Sequence, residues 1–274
     1  MNSATGLATR EPPALSARDI RVQFGERAVL RDLALDFAHA RWISVIGPNG
    51  CGKSTLLRTL AGLLSPARGT VLLEGRALAF WPRRERARRI AWLSQTAPSS
   101  DLIVRDCVAL GRFAHIGWLG DLEPTDEAAI ERALRATGSL ELARRRLSTL
   151  SGGERQRVSL ARLLATEAPI FLLDEPTTHL DPPHQIDIAR ILREQAHVSH
   201  GTIVSAIHDM SVALMADELV VLGRNGLVGH GSISEALESD WLSRAFETPI
   251  HVSRSGGSYF WQPQLTDSHP PLAR

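Results

Sequence analysis

The sequence has little of several features that would point to particular classes of protein. It contains two cysteines, one tyrosine and one lysine, and its 31 basic and 30 acidic residues leave a net charge of +1. Cys51 and Cys107 lie far apart and belong to no C-x-x-C pair, which argues against a disulfide framework and a cysteine zinc site. The balanced charge argues against sustained contact with a phosphate backbone, so we expect no nucleic-acid partner.

Long apolar runs are also absent. No stretch of about 18 apolar residues occurs, although that length is needed for a membrane-spanning helix. The N-terminus carries Glu11 and Asp19 where a secretory signal would have an apolar core. We therefore expect the chain to stay in the cytosol and not to cross a membrane itself. Its 274 residues, 43% hydrophobic and 22% charged, indicate a globular protein of one large or two small domains.

The scarcity of lysine is the most informative of these features. Of the 31 basic residues, all but Lys53 are arginine. A single lysine among so many arginines indicates that Lys53 occupies a site where a compact ammonium charge serves better than a planar guanidinium group. The alternative is that Lys53 is a chance survivor of arginine-rich codon usage.

Short apolar runs alternate with helical stretches along the chain. These runs occupy residues 42–46, 90–93, 170–173, 202–207 and 218–222. Strands that alternate with helices predict a parallel sheet in an α/β fold. Residues 20–37, with a turn at Gly25, show the shorter alternation typical of an antiparallel sheet.

Helical patterns dominate the middle of the chain and predict an inserted helical subdomain over about residues 96–153. One helix is expected to take Thr125 as its N-cap and to stop at Gly138. Its inward-facing residues are predicted to be Ile130, Ala133 and Leu134.

The basic stretch over residues 83–89 (RRERARR) admits two interpretations. It contains a glutamate and leads directly into a predicted strand, which favours a solvated helix face over a nucleic-acid patch. For the whole chain we expect a flexible tail over 1–13, a main domain over 14–240 and a peripherally packed extension over 241–274.

Residues 47–54 (GPNGCGKS) match the pattern G-x-x-x-x-G-K-S between an apolar strand and a helix. The glycines let the backbone wrap around phosphates, and successive N–H groups and the positive end of the helix dipole point at the anion. Lys53 would neutralise phosphate charge, and the Ser54 hydroxyl would bind magnesium. The helix that follows is predicted from the spacing of Leu56, Leu57, Leu60 and Leu63.

Two other predicted strands end in polar residues. Asp174 and Glu175 follow the run IFLL, and His208 follows TIVSAI. Because parallel strands present their carboxyl ends at one edge of the sheet, these side chains are expected beside the phosphate loop. Asp174 would hold magnesium, Glu175 would position or deprotonate a water, and His208 would contact the γ-phosphate.

A second segment suited to anion binding covers residues 150–158 (LSGGERQRV). It combines a serine hydroxyl, two glycines and the start of a helix. One chain does not need two such devices for one triphosphate, so the simplest use is to close on the γ-phosphate bound by another copy. A glycine-rich turn between domains is the alternative.

These motifs together resemble the nucleotide-binding subunits of ATP-binding cassette (ABC) transporters, over roughly residues 17–235. The resemblance implies a P-loop NTPase (RecA-like) core of the α/β class, with an N-terminal antiparallel β subdomain and an inserted helical subdomain. It places Phe24 where the family usually stacks adenine on a tyrosine. It assigns the P-loop to Gly47, Pro48, Asn49, Gly50, Cys51, Gly52, Lys53, Ser54 and Thr55.

The same resemblance implies an ATPase that uses ATP and Mg²⁺. Glu175 would be the catalytic base, with His208 as the switch histidine and Gln95 as the Q-loop glutamine. The metal ligands would be Ser54, Gln95 and Asp174.

The resemblance also implies partners. Two copies would sandwich two ATP molecules, each between one P-loop and the signature residues Ser151, Gly152 and Gly153 of the other copy, with Asp181 as the D-loop aspartate. ATP binding would close this homodimer and hydrolysis would reopen it. The dimer would drive an integral-membrane permease served by an extracytoplasmic substrate-binding protein, so the chain would lie peripherally on the cytoplasmic face of the membrane.

A finer resemblance is to importers of metal chelates, meaning siderophore iron, haem and cobalamin. It rests on the segments 108–115 (VALGRFAH) and 184–187 (HQID). The alternatives are a cassette for another substrate, a soluble ABC-type ATPase that remodels a ribosome or DNA assembly, and a P-loop kinase. Several scattered histidines show no metal-ligand grouping. These are His115, His179, His184, His197 and His200.

Overall fold

A computed structural model describes residues 11–95, 100–117, 120–178, 180–255 and 258–264. Residues 1–10 of the expected tail over 1–13, and His179, lie outside these ranges. The strands are β1 (Leu15–Phe24), β2 (Arg27–Phe37), β3 (Trp42–Ile46), β4 (Arg68–Leu73), β5 (Arg76–Ala77), β6 (Ile90–Leu93), β7 (Ile170–Asp174), β8 (Thr202–Ala206), β9 (Glu218–Gly223), β10 (Gly226–Ser232), β11 (Ile250–Ser255) and β12 (Ser258–Pro263). The α-helices are α1 (Lys53–Leu60), α2 (Arg83–Arg89), α3 (Val104–Ala109), α4 (Phe113–Ile116), α5 (Pro124–Ala136), α6 (Gly152–Leu164), α7 (Pro182–His197), α8 (Met210–Ala213), α9 (Ile233–Glu238) and α10 (Trp241–Phe246).

The core is a six-stranded sheet in the order β10-β9-β3-β8-β7-β6. The five strands from β9 to β6 run parallel, and β10 closes the edge antiparallel to β9. Every residue of β3, β7 and β8 is buried, because helices or the second sheet cover both faces. The predicted parallel α/β core is confirmed.

The predicted antiparallel sheet at the N-terminal end is also confirmed, and it is larger than expected. It contains four strands in the order β2-β1-β4-β5, with the turn at Gly25 between β1 and β2. It starts at Leu15 rather than at residue 20, and it includes 68–77, which the sequence pattern did not indicate. This sheet shares one hydrophobic cluster with α1 and with residues from one face of the central sheet.

Helices α3, α4 and α5 follow β6 along the chain. Ile130, Ala133 and Leu134 of α5 are buried as predicted, and Gly138 follows the helix end with φ +60°. The predicted N-cap was wrong. Glu123 caps α5 instead of Thr125, because Pro124 takes the first helical position and Asp126 completes a capping box with Glu123. Short 3-10 turns occupy Leu78–Phe80, Leu110–Arg112, Leu140–Leu142 and Leu147–Thr149.

Two local predictions need correction. Leu63 does not share the buried face of α1, because that helix ends at Leu60 and the chain turns at Gly62 (φ +69°), which leaves Leu63 61% exposed. The basic stretch is the helix α2, as expected, but its arginines are not only solvated. Arg84 and Arg88 each donate from Nε to the Ala114 carbonyl at 2.9 Å and tie α2 to the end of α4.

The last described segment consists of α9, α10 and the hairpin β11–β12. Leu242 and Ala245 of α10 are buried in the main core, and Ile250, Val252 and Tyr259 of the hairpin pack against it. Among the described helices, none has both the length and the hydropathy needed to cross a lipid bilayer.

Candidate functional site

The loop between β3 and α1 has a backbone that only glycine can adopt at two points. Gly47 has φ +148°, and a Cβ there would lie 2.1 Å from the Leu222 carbonyl oxygen. Gly52 has φ +107°, and a Cβ would lie 2.9 Å from the Leu30 side chain. The chain therefore turns tightly out of a buried strand and directly into a helix, so that helix N–H groups face the concave side of the loop.

Lys53 is the first residue of α1 and is only 6% exposed. Its Nζ donates to the Gly47 carbonyl at 2.8 Å and to the Pro48 carbonyl at 3.2 Å. The ammonium group is thus held across the loop, where it can neutralise an incoming phosphate. Cys51 belongs to the same loop and is buried, and this burial raises the pKa of its thiol, with the Lys53 charge opposing that shift.

Ser54 and Asp174 are brought together from α1 and the end of β7. The Ser54 hydroxyl donates to Asp174 Oδ1 at 2.8 Å. Asp174 Oδ2 is buried and has no hydrogen-bond partner among the described residues. Burial raises the pKa of Asp174, the Ser54 hydrogen bond opposes this, and the neighbouring Glu175 charge adds to it. A hydroxyl beside a carboxylate with an orphaned oxygen fits a hard divalent cation such as Mg²⁺.

Glu175 lies one residue beyond β7, in an uncommon backbone conformation with φ +55°. A left-handed non-glycine residue costs about 1–2 kcal/mol, and its persistence indicates that surrounding contacts impose it. The Glu175 N–H donates to the Ala206 carbonyl at 3.0 Å, which fixes the turn to the end of β8. The side chain is thereby directed to the same sheet edge as the P-loop.

Three side chains surround the Glu175 carboxylate. Gln95 Nε2 donates to Oε2 at 2.7 Å, the Thr178 hydroxyl donates to Oε2 at 2.9 Å, and His208 Nε2 lies 2.5 Å from Oε1. Burial opposes ionisation, but the His208 and Thr178 hydrogen bonds and the His208 charge outweigh it and lower the pKa of Glu175. The carboxylate is therefore ionised at neutral pH.

These groups open onto one cavity of about 520 Å³. Gln95, Glu175 and His208 line it together with Asn49 of the P-loop. The structure thus brings together the predicted residues from the ends of β6, β7 and β8 with the loop after β3. The sequence did not indicate that Gln95 and His208 would both bind Glu175 directly.

Phe24 stands at the tip of the β1–β2 hairpin, 56% exposed. Val29 and Leu30 of the same hairpin pack against the P-loop, within about 3 Å of where a Gly52 Cβ would lie. An exposed aromatic ring on a hairpin that packs against a phosphate-binding loop is suited to stacking on a nucleobase. Arg27, which the sequence did not single out, also approaches the loop. Its Nη2 would be 3.9 Å from a Cβ on Gly50.

The second anion-binding segment is not part of this cavity. Ser151 caps α6 through a capping box with Glu154, whose N–H donates to the Ser151 hydroxyl at 3.2 Å. Ser151 and Gly152 are exposed, and neither they nor Gly153 line the cavity around Glu175. A single chain therefore presents this helix start to solvent.

Asp181 caps the start of α7 and is paired with the Nδ1 atom of His184. The hydrogen bond from His184 lowers the pKa of Asp181. No group of three or more potential metal-binding side chains occurs within the described ranges.

Two further residues at the site escaped the sequence analysis. Thr178 follows the carboxylate pair by three residues and binds Glu175, as noted above. Gln156, on the second turn of α6, is buried and donates to the Pro176 carbonyl at 2.7 Å. In the sequence, the only signal for these contacts is a glutamine, Gln156, within the polar segment that begins α6.

Comparison with known protein families gives one match. The model for the family described as "ABC transporter" matches residues 30–178, more than half of the chain.

Individual relatives agree with that match. The chain is 38% identical over 240 residues to the ferric enterobactin transport ATP-binding protein FepC of Escherichia coli (strain K12), covering 87% of this chain and 89% of that protein. It is 39% identical over 239 residues to the hemin import ATP-binding protein HmuV of Streptomyces coelicolor, covering 86% and 84% of the two chains. Among solved structures, an inward-facing putative metal-chelate type ABC transporter superimposes with a TM-score of 0.79 at 27% identity, covering 92% of this chain and 98% of that one.

Proposed function

Because this chain belongs to the ABC transporter family, as an ATP-binding subunit that hydrolyses ATP, we propose that it powers import of a metal chelate through a partner permease. The chelate is of the iron-siderophore, haem or cobalamin type. This class is supported by the names of the relatives, which refer to ferric enterobactin transport and hemin import, and by the metal-chelate type transporter whose fold it shares.

One observation carries the catalytic part of the proposal. The ionised Glu175 faces the same cavity as the P-loop residue Asn49 and is held there by Gln95, Thr178 and His208. A carboxylate fixed in this way can accept a proton from a water that attacks the terminal phosphate. The proton acceptor is Oε1 or Oε2, and His208 then stabilises charge at the reacting edge.

The P-loop supplies the binding part. Its backbone N–H groups and Lys53 hold the phosphates, while Phe24 stacks on the base. Ser54 and Asp174 would hold Mg²⁺, and Gln95 is proposed as a further ligand after it leaves Glu175. When bound, the ion neutralises phosphate charge.

Two copies complete each site. Ser151, Gly152 and Gly153 do not line the cavity of their own chain, so we place them on the γ-phosphate held by the second copy. Asp181 would lie beside the same interface. ATP then contacts both copies only in the closed dimer, so its binding shifts the population toward closure, and hydrolysis reopens it.

The remaining partners follow from the transport role. The chain would lie at the cytoplasmic face of the membrane through contact with its permease, and an extracytoplasmic substrate-binding protein would deliver the chelate. Fractionation with and without the coexpressed permease tests this location. Co-sedimentation with ribosomes instead of membranes would favour a soluble ATPase that remodels a ribosome or DNA assembly.

Two substitutions test the site directly. Glu175→Gln removes the proton acceptor, so we expect ATP turnover to fall by about 10²-fold or more while ATP binding persists. In this variant ATP should trap a dimer that is visible by size-exclusion chromatography.

Ser151→Arg is the paired test of the shared site. It places a bulky side chain at the exposed start of α6, so nucleotide should still bind while ATP-dependent dimerisation and turnover are lost. Unchanged turnover in either variant, measured as phosphate release, contradicts the roles proposed here.

A further inference from the structure

The start of α6 is connected to the catalytic glutamate through a buried amide. Gln156 is 6% exposed, and its Nε2 donates to the carbonyl oxygen of Pro176 at 2.7 Å. Pro176 is bonded directly to Glu175. Gln156 lies five positions after Ser151 in the chain, about 7.5 Å along a helix. The helix that presents Ser151 to solvent therefore also holds the Pro176–Thr177 peptide, one residue beyond Glu175.

A second contact joins the same two regions. Leu180, which is largely buried, lies against the start of α6, 3.4 Å from where a Cβ on Gly153 would be. Leu180 is in turn fixed from α7, because Gln185 Nε2 donates to its carbonyl oxygen at 3.1 Å. The chain after Glu175 thus touches α6 at two points, through the Pro176 carbonyl and through the Leu180 side chain.

The position of Glu175 depends on how this segment is held. Its φ of +55° is a conformation that a glutamate keeps only under external constraint. On one side the Ala206 carbonyl accepts its N–H, and on the other the Gln156 amide fixes the Pro176–Thr177 peptide, one residue further along the chain. Loss of the amide would free the Pro176 carbonyl and loosen one of these two constraints.

We propose that Gln156 is a positioning residue, which fixes the position of the Glu175 carboxylate when the first turn of α6 has bound a phosphate. This inference rests on the proposed function, in which Ser151 and Gly153 bind the γ-phosphate held by the second copy. When that phosphate is engaged, the first turns of α6 are fixed, and the Gln156 amide transfers this constraint to Pro176 and Glu175. Each subunit would then align Glu175 for its own ATP only while its Ser151 and Gly153 bind the ATP held by its partner.

Gln156→Met is the main test, because it keeps an unbranched side chain of similar length and removes the donor. We expect kcat for ATP hydrolysis to fall about tenfold, equivalent to roughly 1.4 kcal/mol, while KM for ATP stays unchanged. The double variant Gln156→Met, Glu175→Gln should still form the ATP-dependent dimer. Retained binding and dimerisation with a lower kcat separate positioning from a general loss of fold.

A second variant gives a pH readout. In Gln156→Glu the introduced carboxyl can donate to the Pro176 carbonyl only when it is protonated. The ratio of its kcat to that of the wild type should therefore rise as pH falls from about 8 to about 6, since burial raises carboxyl pKa values. A ratio that does not change with pH contradicts the proposed hydrogen bond.

Gln195→Met is the matched control. Gln195 lies near the C-terminal end of α7 and donates to the Ser199 hydroxyl at 3.1 Å. The same chemical change there should therefore leave kcat unaltered. A wild-type kcat in Gln156→Met, or equal losses of binding, dimerisation and turnover, would overturn the inference. A wild-type chain that hydrolyses no ATP would instead refute the proposed function itself.

Discussion

The buried ion pair between Arg112 and Asp126 offers the sharpest test of what holds the helices after β6 in place. Both side chains are less than 10% exposed, and Arg112 Nε donates to Asp126 Oδ1 at 2.7 Å. Arg112 Nη1 also donates to the Ala165 carbonyl and to Glu167, each at 2.9 Å. One guanidinium thus joins the 3-10 turn after α3 to α5 and to the chain leaving α6.

Arg112→Met keeps the apolar stem and removes the charge. Asp126 is then left covered and unpaired, a change that costs about 3–5 kcal/mol for a buried pair. We take the lower end, about 3 kcal/mol, because Glu167 is half-exposed and water can reach it. At roughly 2–4 °C per kcal/mol for a chain of this size, the melting temperature should fall by about 6–12 °C.

Thermal unfolding followed by circular dichroism measures this change. The control is Arg135→Met, which breaks an ion pair with Glu131 in which both side chains are more than half exposed, and which should shift the melting temperature very little. Adding Asp126→Asn to Arg112→Met should recover part of the loss, because it removes the unpaired charge. A fall in Arg112→Met no larger than in the control would refute the reasoning.

The same pair predicts a pH dependence. The hydrogen bond from Arg112 outweighs burial and lowers the pKa of Asp126 in the folded protein. Its contribution to stability is therefore present above the unfolded pKa, near 3.9, and is lost as pH falls through the lower folded value. The stability difference between wild type and Arg112→Met should shrink in that acid range and stay constant around neutrality.

Two further predictions concern the nucleotide site. Lys53→Ala should abolish ATP binding in a fluorescence titration. Lys53→Arg should not bind ATP either, because a planar guanidinium does not fit where Nζ reaches the Gly47 and Pro48 carbonyls. Normal affinity in Lys53→Ala would contradict the P-loop assignment. Asp174→Asn should raise the melting temperature of the nucleotide-free protein but increase the Mg²⁺ concentration needed for turnover at least several-fold. Burial raises the pKa of Asp174, so the fold loses stability as pH rises from the unfolded pKa, near 3.9, to the raised folded value. Equal melting temperatures at neutral pH would contradict this.

The sheet and the P-loop could be predicted because their sequence patterns are local. Parallel strands such as β3 and β7 are continuous apolar runs, and the G-x-x-x-x-G-K-S pattern specifies its own backbone. The strand β4 was not predicted, because its first three residues are exposed and its apolar and polar residues do not alternate regularly. The α5 cap was misplaced because Thr125 is a good cap in isolation, whereas Pro124 at the first helical position moves the cap to Glu123.

The catalytic cluster could be predicted only in part. Topology places Glu175 and His208 at one sheet edge, since β7 and β8 are parallel neighbours. That Gln95 and His208 both bind Glu175 depends on the left-handed backbone at Glu175, which no sequence pattern specified. The Gln156 contact joins residues 20 positions apart through a side-chain amide, so it has no periodic trace either.

The solitary ammonium group also gives this protein a built-in spectroscopic reporter. Reductive methylation with isotope-labelled formaldehyde modifies lysine side chains and the terminal amine, so a single dimethyl-lysine resonance would belong to Lys53. Because Nζ is covered by the P-loop, the rate of that labelling measures how often the P-loop opens in the nucleotide-free protein. No mutagenesis is needed to isolate the signal.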